Sequence, residues 1–346
     1  MGMIAKSSTS IILVAYHGDR WLPSCLASLA GVSVNRPHLV LVDNSGNTVL
    51  DTLDLSAFDA EVLCTPQPLG FAEANNFALV RASHLEQTVL FLNQDTISPA
   101  GWLDRCLEAM AGDDTLGAVS PLIRTYDDDG WDPSFLACLD EERRRHLTMG
   151  DGSEALQKDN LTSGATLPKG NAKVWQTRNA PAPALLVRTD VLRKVGPFDP
   201  VFGSYYEDYD LCRRIRWAGY RIGFVTGARI RHFSGSTTDT PEKERRRMRQ
   251  IIRNRVIYQL REAGTKRRRG ALRWFGRDLP RRLVRGLMQT PSSQPPGVTL
   301  GAYGDLVRLL PRLVSEKRDE AAWQAYLHEL GWARTGRGNP ETIATP

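Results

Sequence analysis

Short apolar runs alternate with stretches of helical periodicity along the first part of the chain. Three of the runs are continuous and rich in β-branched residues, which is typical of strands buried on both faces of a sheet: residues 10–16, 38–43 and 88–92. Between them, apolar residues recur at helical spacing: residues 21–29, 71–83 and 99–110. This alternation predicts an α/β domain with a mostly parallel sheet and flanking helices.

The rest of the predicted domain is less regular. Weaker strands are predicted at residues 60–64 and 117–120. Residues 124–178 then lose periodicity, apart from a basic helical patch at 141–146, and are interpreted as a long excursion. Periodicity returns afterwards, with strands at 183–187 and 220–225 and a helix at 189–195, and residues 228–236 complete the domain. We therefore predict one domain over residues 1–238, with the excursion inside it.

The pattern changes after residue 238, where a basic helical C-terminal region, residues 239–346, is predicted. It comprises a helix at 242–262, basic apolar segments up to 288, a Pro/Ser linker at 289–297, a helical region at 306–332 and a loose tail from 335. Residues 242–285 carry 17 lysines and arginines against four acidic residues, although the whole chain has a net charge of only +6. This asymmetry favours an anionic partner for the basic segment.

Composition narrows the functional classes further. No apolar run approaches the roughly 20 residues that a membrane span needs, and the first ten residues do not form a secretory signal. The five cysteines are scattered and form no CxxC pair, which is typical of reduced thiols in a cytoplasmic protein. The first predicted strand is not followed by GxGxxG, and the chain lacks GxxxxGK[ST], so a dinucleotide-binding dehydrogenase and a P-loop enzyme are excluded.

Polar residues follow three of the predicted strands directly. Tyr16 and His17 end the first strand, Asp43 ends the second, and Asn93 and Asp95 end the fourth. Ligands of open α/β sheets bind outside the carboxyl ends of the strands, so these side chains predict a ligand pocket.

A second candidate lies at the start of a predicted helix. Glu207, Asp208 and Asp210 follow two adjacent tyrosines, and the helical pattern runs from there to Gly219. Acids favour the first turn of a helix for electrostatic reasons alone. A carboxylate beside an aromatic loop is also well placed to act as a general base, so the pattern by itself leaves both interpretations open.

The order of these motifs resembles the inverting glycosyltransferases of family 2, which have the GT-A fold. The resemblance covers residues 10–236 and rests on VAYH at 14–17, LVDNS at 41–45, LGFAEANN at 69–76, FLNQD at 91–95, LVRTDVLRKVGPFD at 186–199, YEDYDL at 206–211 and IRH at 230–232. The rhamnosyltransferase-like branch of bacterial surface polysaccharide synthesis is the most similar.

The resemblance implies a metal-dependent donor site. A nucleotide-sugar donor would bind with a divalent cation, Mg²⁺ or Mn²⁺, held by Asp95 and His232 and by Asn93, which occupies the first position of the family's Asp-x-Asp pattern. Asp43 would receive the nucleobase or ribose. The remaining donor-binding residues would be Tyr16 and His17 beside the base, and Gly70, Asn75 and Asn76 beside the diphosphate.

The resemblance also implies roles for the acids at the start of the predicted helix that ends at Gly219. Asp208 would be the catalytic base, Glu207 would position the acceptor or tune Asp208, and Asp210 would cap the helix. The expected reaction moves a sugar from a dTDP- or UDP-sugar, such as dTDP-rhamnose, to a hydroxyl of a glycan or lipid-linked acceptor in the cytoplasm.

The basic segment 243–285, with Leu272, Trp274 and Phe275, would attach the protein to an anionic membrane surface at the inner face of the plasma membrane, or would simply be a solvated helix packed on the body. No nucleic-acid-binding module is recognised, so a nucleic-acid partner is not expected. Asn93 leaves an alternative open: a non-catalytic scaffold of the same fold that binds a partner or membrane through its basic tail.

Overall fold

The computed structural model describes residues 9–31, 37–46, 50, 52–148, 173–234, 240–288 and 296–332. These residues divide into two compact units. The first comprises the described residues up to Phe198 together with Leu211–Ser234; the second comprises Asp199–Asp210 and the described residues after Ser234, up to Trp332. The sequence-based boundary after residue 238 had placed Asp199–Asp210 in the first domain. The expected loose tail from residue 335 and residues 149–172 of the excursion lie outside the described residues.

A nine-stranded sheet forms the centre of the first unit. Its strands are β1 (Thr9–Ala15), β2 (His38–Asp43), β3 (Asp59–Cys64), β4 (Thr88–Asn93), β5 (Thr96–Ile97), β6 (Leu116–Thr125), β7 (Val174–Thr177), β8 (Ala184–Arg188) and β9 (Arg221–His232). Their order is β3-β2-β1-β4-β8-β6-β9-β5, with β7 also paired to β9. Strands β1 to β4 are parallel, as are β6 and β9, whereas β8 runs antiparallel to both of its neighbours.

Parallel pairing explains the apolar runs. Residues 39–42 of β2 and 89–92 of β4 are buried on both faces of the sheet, so neither strand alternates between apolar and polar residues. Because β1, β2 and β4 are parallel neighbours, their carboxyl ends meet at one edge of the sheet. The polar residues that follow these three strands are therefore brought to the same place.

Among the described residues, seven α-helices accompany the sheet: α1 (Leu22–Ala30), α2 (Phe71–Arg81), α3 (Trp102–Ala111), α4 (Pro133–Ala137), α5 (Glu141–Thr148), α6 (Thr189–Val195) and α7 (Glu207–Trp217). The start of α7 belongs to the second unit and its remainder to the first. The predicted excursion contains α4, α5 and β7, so its described part is more ordered than its composition indicated. Strand β5 has only two residues, and the hydrophobic pattern did not predict it.

The second unit is helical. Its helices are α8 (Pro241–Glu262), α9 (Arg267–Arg273), α10 (Leu279–Met288), α11 (Pro296–Leu313) and α12 (Glu316–Leu330), and a π-helical turn, Trp274–Asp278, joins α9 to α10. An apolar core of its own includes Ile257, Leu260, Ala302 and Leu306. The predicted helical region at 306–332 comprises two helices: the first already begins at Pro296, and the chain turns near Ser315, which caps α12.

Within the described residues, every helix is too short or too polar to cross a membrane. All five cysteines are free, and Cys25, Cys106 and Cys212 are buried.

Candidate active site

Side-chain hydrogen bonds join the carboxyl ends of β1, β2 and β4. The Gln94 amide donates from Nε2 to the Tyr16 carbonyl over 2.7 Å, and its Oε1 accepts from the Tyr16 backbone N–H over 3.0 Å. The His17 N–H donates to Ser45 Oγ over 2.9 Å. The three polar strand ends that the sequence singled out therefore form one continuous surface.

The turn after β1 has a constrained shape. His17 has a φ of 47°, in the left-handed region that is uncommon for residues with a side chain. A Cβ atom on Gly18 would lie only 2.7 Å from Gln94 Oε1, so glycine allows the Gln94 amide to sit against this turn. The Tyr16 and His17 rings lie beside each other, with centroids 4.3 Å apart, and Tyr16 is 39% exposed. Two aromatic rings thus stand at the edge of the surface.

The end of β2 is tied to the loop that precedes α2. Asn44 is buried, donates from Nδ2 to the Leu69 carbonyl over 2.9 Å and accepts from the Leu69 N–H over 2.8 Å. Asp43 lies next to it and accepts from the Ser45 N–H over 3.2 Å. Asn44 therefore positions the loop leading to Gly70 beside Asp43.

The residues predicted to lie beside a diphosphate occupy the start of α2. Gly70 directly precedes this helix, and its N–H donates to Glu73 Oε2 over 3.2 Å. Asn75 is buried and donates to the Phe71 carbonyl one turn earlier, over 2.8 Å. The Asn76 amide donates to the Phe198 carbonyl over 2.7 Å and accepts from the Phe198 N–H over 3.0 Å, so Asn76 fixes α2 to the segment that contains Phe198.

Asn93, Asp95 and His232 lie together at the edge of the sheet. His232 Nε2 is 3.4 Å from Asp95 Oδ1 and 3.3 Å from Asn93 Nδ2. Pairing of β5 with β9 places Thr96 opposite His232, and the Phe233 N–H donates to the Asp95 carbonyl over 3.0 Å. The short strand that the sequence did not predict is thus the element that brings His232 to Asp95.

Two residues outside the predicted site complete this cluster. Asp132 is fully buried, and its Oδ2 lies 2.9 Å from His232 Nδ1 and also accepts from the Ser234 hydroxyl. Its Oδ1 caps α4 by accepting from the backbone N–H groups of Ser134 and Phe135, over 2.7 and 3.2 Å. Asp132 was missed because its sequence, Asp-Pro-Ser, predicts a helix start but not a histidine partner 100 residues away.

The carboxylates on either side of His232 dominate its electrostatics. Burial by itself lowers the pKa of the imidazole, but the hydrogen bonds and charges of Asp132 and Asp95 raise this pKa to about 9. Burial conversely raises the pKa of Asp132, and its bonds to His232, Ser134 and Ser234 bring this pKa down to about 2. The Asp132 carboxylate therefore holds the imidazole by a charge-assisted hydrogen bond and leaves Nε2 facing Asp95 and Asn93.

The cluster has the chemistry of an incomplete cation site. In the described part of the chain, no group of three or more His, Cys, Asp or Glu side chains is arranged to hold a metal ion. Asn93 Oδ1, however, is buried next to His232 and Asp95, and no described residue hydrogen-bonds to it. One carboxylate, one imidazole nitrogen and one amide oxygen fit a divalent cation that takes its other ligands from phosphates and water. The Asp132–His232 pair has the form of an outer-shell contact that orients a ligating histidine.

The two candidate acids of α7 belong to the second unit. Glu207 and Asp208 are both buried, and Tyr205 and Tyr206 directly before them have φ values of 68° and 71°. Nothing in the described part of the chain hydrogen-bonds to Glu207 Oε2, whereas Asp208 Oδ1 accepts from the Tyr209 N–H over 2.8 Å. Burial, together with the charge of Asp208, holds the pKa of Glu207 well above its ordinary value. Both effects favour the protonated form of Glu207.

The interpretation of Asp210 as a helix cap was wrong. Helix α7 begins at Glu207, so Asp210 lies inside the first turn, and it is fully buried. Its Oδ1 accepts from Arg261 Nη1 over 3.2 Å, within a network of buried ion pairs. Arg261 lies 51 residues further along the chain, and its place in a basic helix gave no indication of this contact.

The fold is that of the GT-A glycosyltransferases. The mannosyltransferase PcManGT from Pyrobaculum calidifontis, in complex with GDP-Man and Mn²⁺, has a similar structure with a TM-score of 0.53 and 16% sequence identity, over 93% of this chain and 85% of that one. GalNAc-T7 with UDP, GalNAc and Mn²⁺ gives a TM-score of 0.52 and 15% identity over 76% of this chain. The present chain spans about half of GalNAc-T7, since the match covers 51% of it.

Sequence comparison shows the family. The model of glycosyltransferase-like family 2 matches residues 7–252, and the chain belongs to this family. A curated relative from two strains of Mycobacterium tuberculosis, CDC 1551 / Oshkosh and ATCC 25618 / H37Rv, is named N-acetylglucosaminyl-diphospho-decaprenol L-rhamnosyltransferase. It is 25% identical over 247 residues, which cover 66% of this chain and 76% of the relative. The predicted family, fold and rhamnosyltransferase-like character are confirmed.

Proposed function

We propose that this glycosyltransferase moves a sugar with inversion from a dTDP- or UDP-sugar, dTDP-rhamnose in particular, to a hydroxyl of a lipid-linked glycan. The cluster of Asn93, Asp95 and His232 at the carboxyl ends of the sheet is the observation that carries the proposal, because it offers a cation site where a diphosphate would bind. The rhamnosyltransferase relative, whose name specifies a lipid-diphosphate acceptor, supports the choice of sugar and acceptor.

Asp208 is the proposed catalytic base. It takes the proton of the acceptor hydroxyl while the hydroxyl oxygen forms a bond to the anomeric carbon, and the bond from that carbon to the nucleotide diphosphate breaks. A single displacement of this kind inverts the anomeric configuration. The raised pKa of Glu207 supports the assignment, because a protonated Glu207 leaves the negative charge on its neighbour Asp208.

Asn93, Asp95 and His232 would hold a divalent cation, Mg²⁺ or Mn²⁺. Such an ion neutralises the charge that develops on a diphosphate leaving group. Asp132 would keep the His232 ring oriented toward it. Asp43, beside the exposed Tyr16 ring and His17, would accept an N–H from a pyrimidine base, which suits uracil or thymine.

The decisive experiment measures nucleotide release and donor binding in the same variants. We expect wild-type protein to release dTDP or UDP from its sugar donor when Mn²⁺ or Mg²⁺ and a GlcNAc-diphospho-lipid acceptor are present. Asp208→Asn removes the base with little change in volume, so turnover should fall by at least about 1,000-fold, within the range of general-base effects. Stabilisation by dTDP or UDP should stay within about twofold of wild type. NMR of the product would establish whether the anomeric configuration is inverted.

Each result bears on a separate part of the proposal. Unchanged turnover in Asp208→Asn would overturn the assignment of the base. Retention of configuration would overturn the single displacement. No nucleotide stabilisation at all, with or without metal, would favour the non-catalytic scaffold that Asn93 leaves open.

We also propose that residues 243–285 bind an anionic membrane surface, which would bring the protein to a lipid-linked acceptor. Basic side chains are exposed along this segment, six of them between residues 266 and 281: Lys266, Arg268, Arg269, Arg273, Arg277 and Arg281. Leu272 lies among them and is 74% exposed. Trp274 and Phe275, expected at the membrane, instead pack partly against the core of the second unit, and the Phe275 ring is 5.4 Å from Tyr303. The support is therefore mainly electrostatic.

Co-sedimentation with lipid vesicles tests this surface. Binding to vesicles with a third of phosphatidylglycerol should exceed binding to pure phosphatidylcholine, at about 1 kcal/mol for each basic residue at the surface. Reversing the charge of Arg269, Arg273 and Arg277 should abolish this difference. The control reverses Lys317 and Arg318, which are exposed on α12 outside the segment. Equal loss in both variants would indicate only a general charge effect and would contradict a specific surface.

A further inference from the structure

The backbone before the proposed base is held by side chains of α8. Asn254 is fully buried, and its Nδ2 lies 2.7 Å from the Phe202 carbonyl, 2.8 Å from that of Ser204 and 2.7 Å from that of Tyr205. One amide group thus gathers three carbonyls of a single turn. The last of them belongs to the residue only two positions before Glu207.

Two neighbours on the same face of α8 contact the same segment. Gln250 donates from Nε2 to the Phe202 carbonyl over 3.1 Å, and Arg253 donates from Nη2 to the Val201 carbonyl over 2.7 Å. Residues three and four positions apart share a helix face, so Gln250, Arg253 and Asn254 form one row of donors. These donors hydrogen-bond to the carbonyls of a turn that forms no regular secondary structure.

The conformation of the segment requires such support. Gly203, Tyr205 and Tyr206 all have φ values between 66° and 71°. Glycine adopts this conformation freely, but for the two tyrosines it is strained and persists only where the surroundings impose it. The strained residues directly precede Glu207 and Asp208, so the donors of α8 determine the direction in which the chain enters α7.

Arg261, two turns further along α8, holds both ends of the same segment. Its Nη2 lies 2.8 Å from Asp199 Oδ2, and its Nη1 lies 3.2 Å from Asp210 Oδ1. Asp319 of α12 faces the guanidinium with both carboxylate oxygens, at 2.9 and 2.8 Å. Arg261 is only 3% exposed. A rigid, multiply paired guanidinium therefore joins the first and last residues of Asp199–Asp210.

We propose that Asn254 is a positioning residue for the Glu207–Asp208 pair, with Arg261 as the anchor of the same segment. Asn254 holds the strained carbonyls before α7, and this orients the two carboxylates for proton transfer. Both residues lie beyond residue 252, where the match to the family model ends. The C-terminal helices would thus support the segment that carries the proposed base. The catalytic part of this inference rests on the proposed role of Asp208.

Asn254→Asp tests the role directly. The substitution keeps the size of the side chain but replaces the donor with a negatively charged acceptor, which repels the three carbonyls. We expect kcat to fall by about 10- to 100-fold, as for a displaced catalytic group, with the KM for dTDP-rhamnose within about twofold of wild type. The acidic limb of the pH profile of kcat should also shift, because the distance between Glu207 and Asp208 determines how strongly their charges repel each other and therefore their pKa values.

The matched control is Val256→Ala, which removes buried apolar atoms from the core side of α8. It should lower the melting temperature about as much as Asn254→Asp does, but leave kcat and the pH dependence of kcat unchanged. Amide hydrogen exchange gives a readout that does not depend on activity: exchange at residues 203–208 should rise in Asn254→Asp and not in Val256→Ala. Equal behaviour of the two variants in kcat and exchange would overturn the proposal.

Arg261→Lys provides a second variant if Asn254→Asp does not fold. A lysine keeps the charge but cannot bridge Asp199 and Asp210 with a planar fork, so a similar loss of kcat is expected. Asp208→Asn is measured in parallel. If Asp208→Asn stays active, the proposed base is wrong. If Asp208→Asn is inactive while Asn254→Asp and Arg261→Lys both keep the wild-type kcat, only the proposed positioning role is contradicted.

Discussion

At the scale of residues, two adjacent carboxylates acquire different chemistry from their surroundings. Among the described residues, nothing hydrogen-bonds to a buried oxygen of Glu207, whereas Asp208 accepts a backbone hydrogen bond. Burial and the neighbouring charge hold the pKa of Glu207 well above its ordinary value, so its protonated form is favoured. The two adjacent acids are therefore not equivalent.

The raised pKa of Glu207 predicts how stability depends on pH. Between the ordinary pKa and the raised one, the folded protein binds a proton that the unfolded chain has lost, so the stability of the wild type falls as pH rises. Glu207→Gln removes this titration. The free energy of unfolding of the variant relative to wild type should therefore increase with pH from about 4 to 8 in urea titrations.

The control for this experiment is Glu242→Gln, which changes an exposed acid in the first turn of α8. Its difference from wild type should remain nearly constant over the same pH range. A constant difference for Glu207→Gln as well would show that Glu207 is ionised in the folded protein.

At the scale of elements, Asp132 couples a helix start to a strand end. One of its oxygens caps α4 and the other holds His232 at the end of β9. The short pairing of β5 with β9 then places His232 beside Asp95. The geometry of the candidate cation site thus depends on three elements that are distant in sequence.

Asp132→Asn separates the two roles, because asparagine also caps helices well but lacks the charge that holds His232. We expect the affinity for Mn²⁺, measured by thermal stabilisation in the presence of dTDP, to fall by about 10- to 100-fold. Asp140→Asn is the control, since Asp140 accepts from the Arg143 N–H near the start of α5 and has no histidine partner. Undiminished metal dependence in Asp132→Asn would contradict an orienting role.

At the scale of the whole molecule, the segment that carries the proposed base belongs to the unit formed by the C-terminal helices. Arg261, Arg267 and Arg312 face Asp319 within this unit, and Arg261 also reaches Asp199 and Asp210. Apart from the partly exposed Arg312, these charges are buried, and all of them are paired. Removal of one partner leaves the others without compensation, which costs far more than the loss of an exposed pair.

Arg261→Met should lower the free energy of unfolding by about 3–5 kcal/mol. Arg249→Met is the control, because Arg249 makes a similar two-bond contact to Asp305 but its side chain is 48% exposed. An exposed pair contributes about 0–1 kcal/mol, so the control should unfold almost as the wild type does. Urea unfolding of both variants, followed by circular dichroism, measures the difference; equal losses would contradict a structural role for the buried network.

Most of the central sheet could be predicted from the sequence, because parallel strands buried on both faces require continuous apolar runs. The predicted strand at 38–43 agrees with β2, and the predicted helix at 189–195 agrees with α6. Weak local signals failed where pairing or packing decides the structure. Strand β5 exists only because β9 pairs with it, and α11 begins inside a stretch whose prolines predicted a linker.

The sequence by itself determined which polar residues follow which strands, and the rule that parallel strands end at one edge was enough to bring Tyr16, Asp43 and Asn93 together. The resemblance of its motif also singled out Asp208 as the proposed base, because local motifs keep their spacing along the chain. Only the tertiary structure decided the partners of these residues: Asp132 with His232, and Asn254 and Arg261 with the segment before the base. Such contacts join residues about 50 to 100 positions apart, and they depend on side-chain packing that no local pattern records.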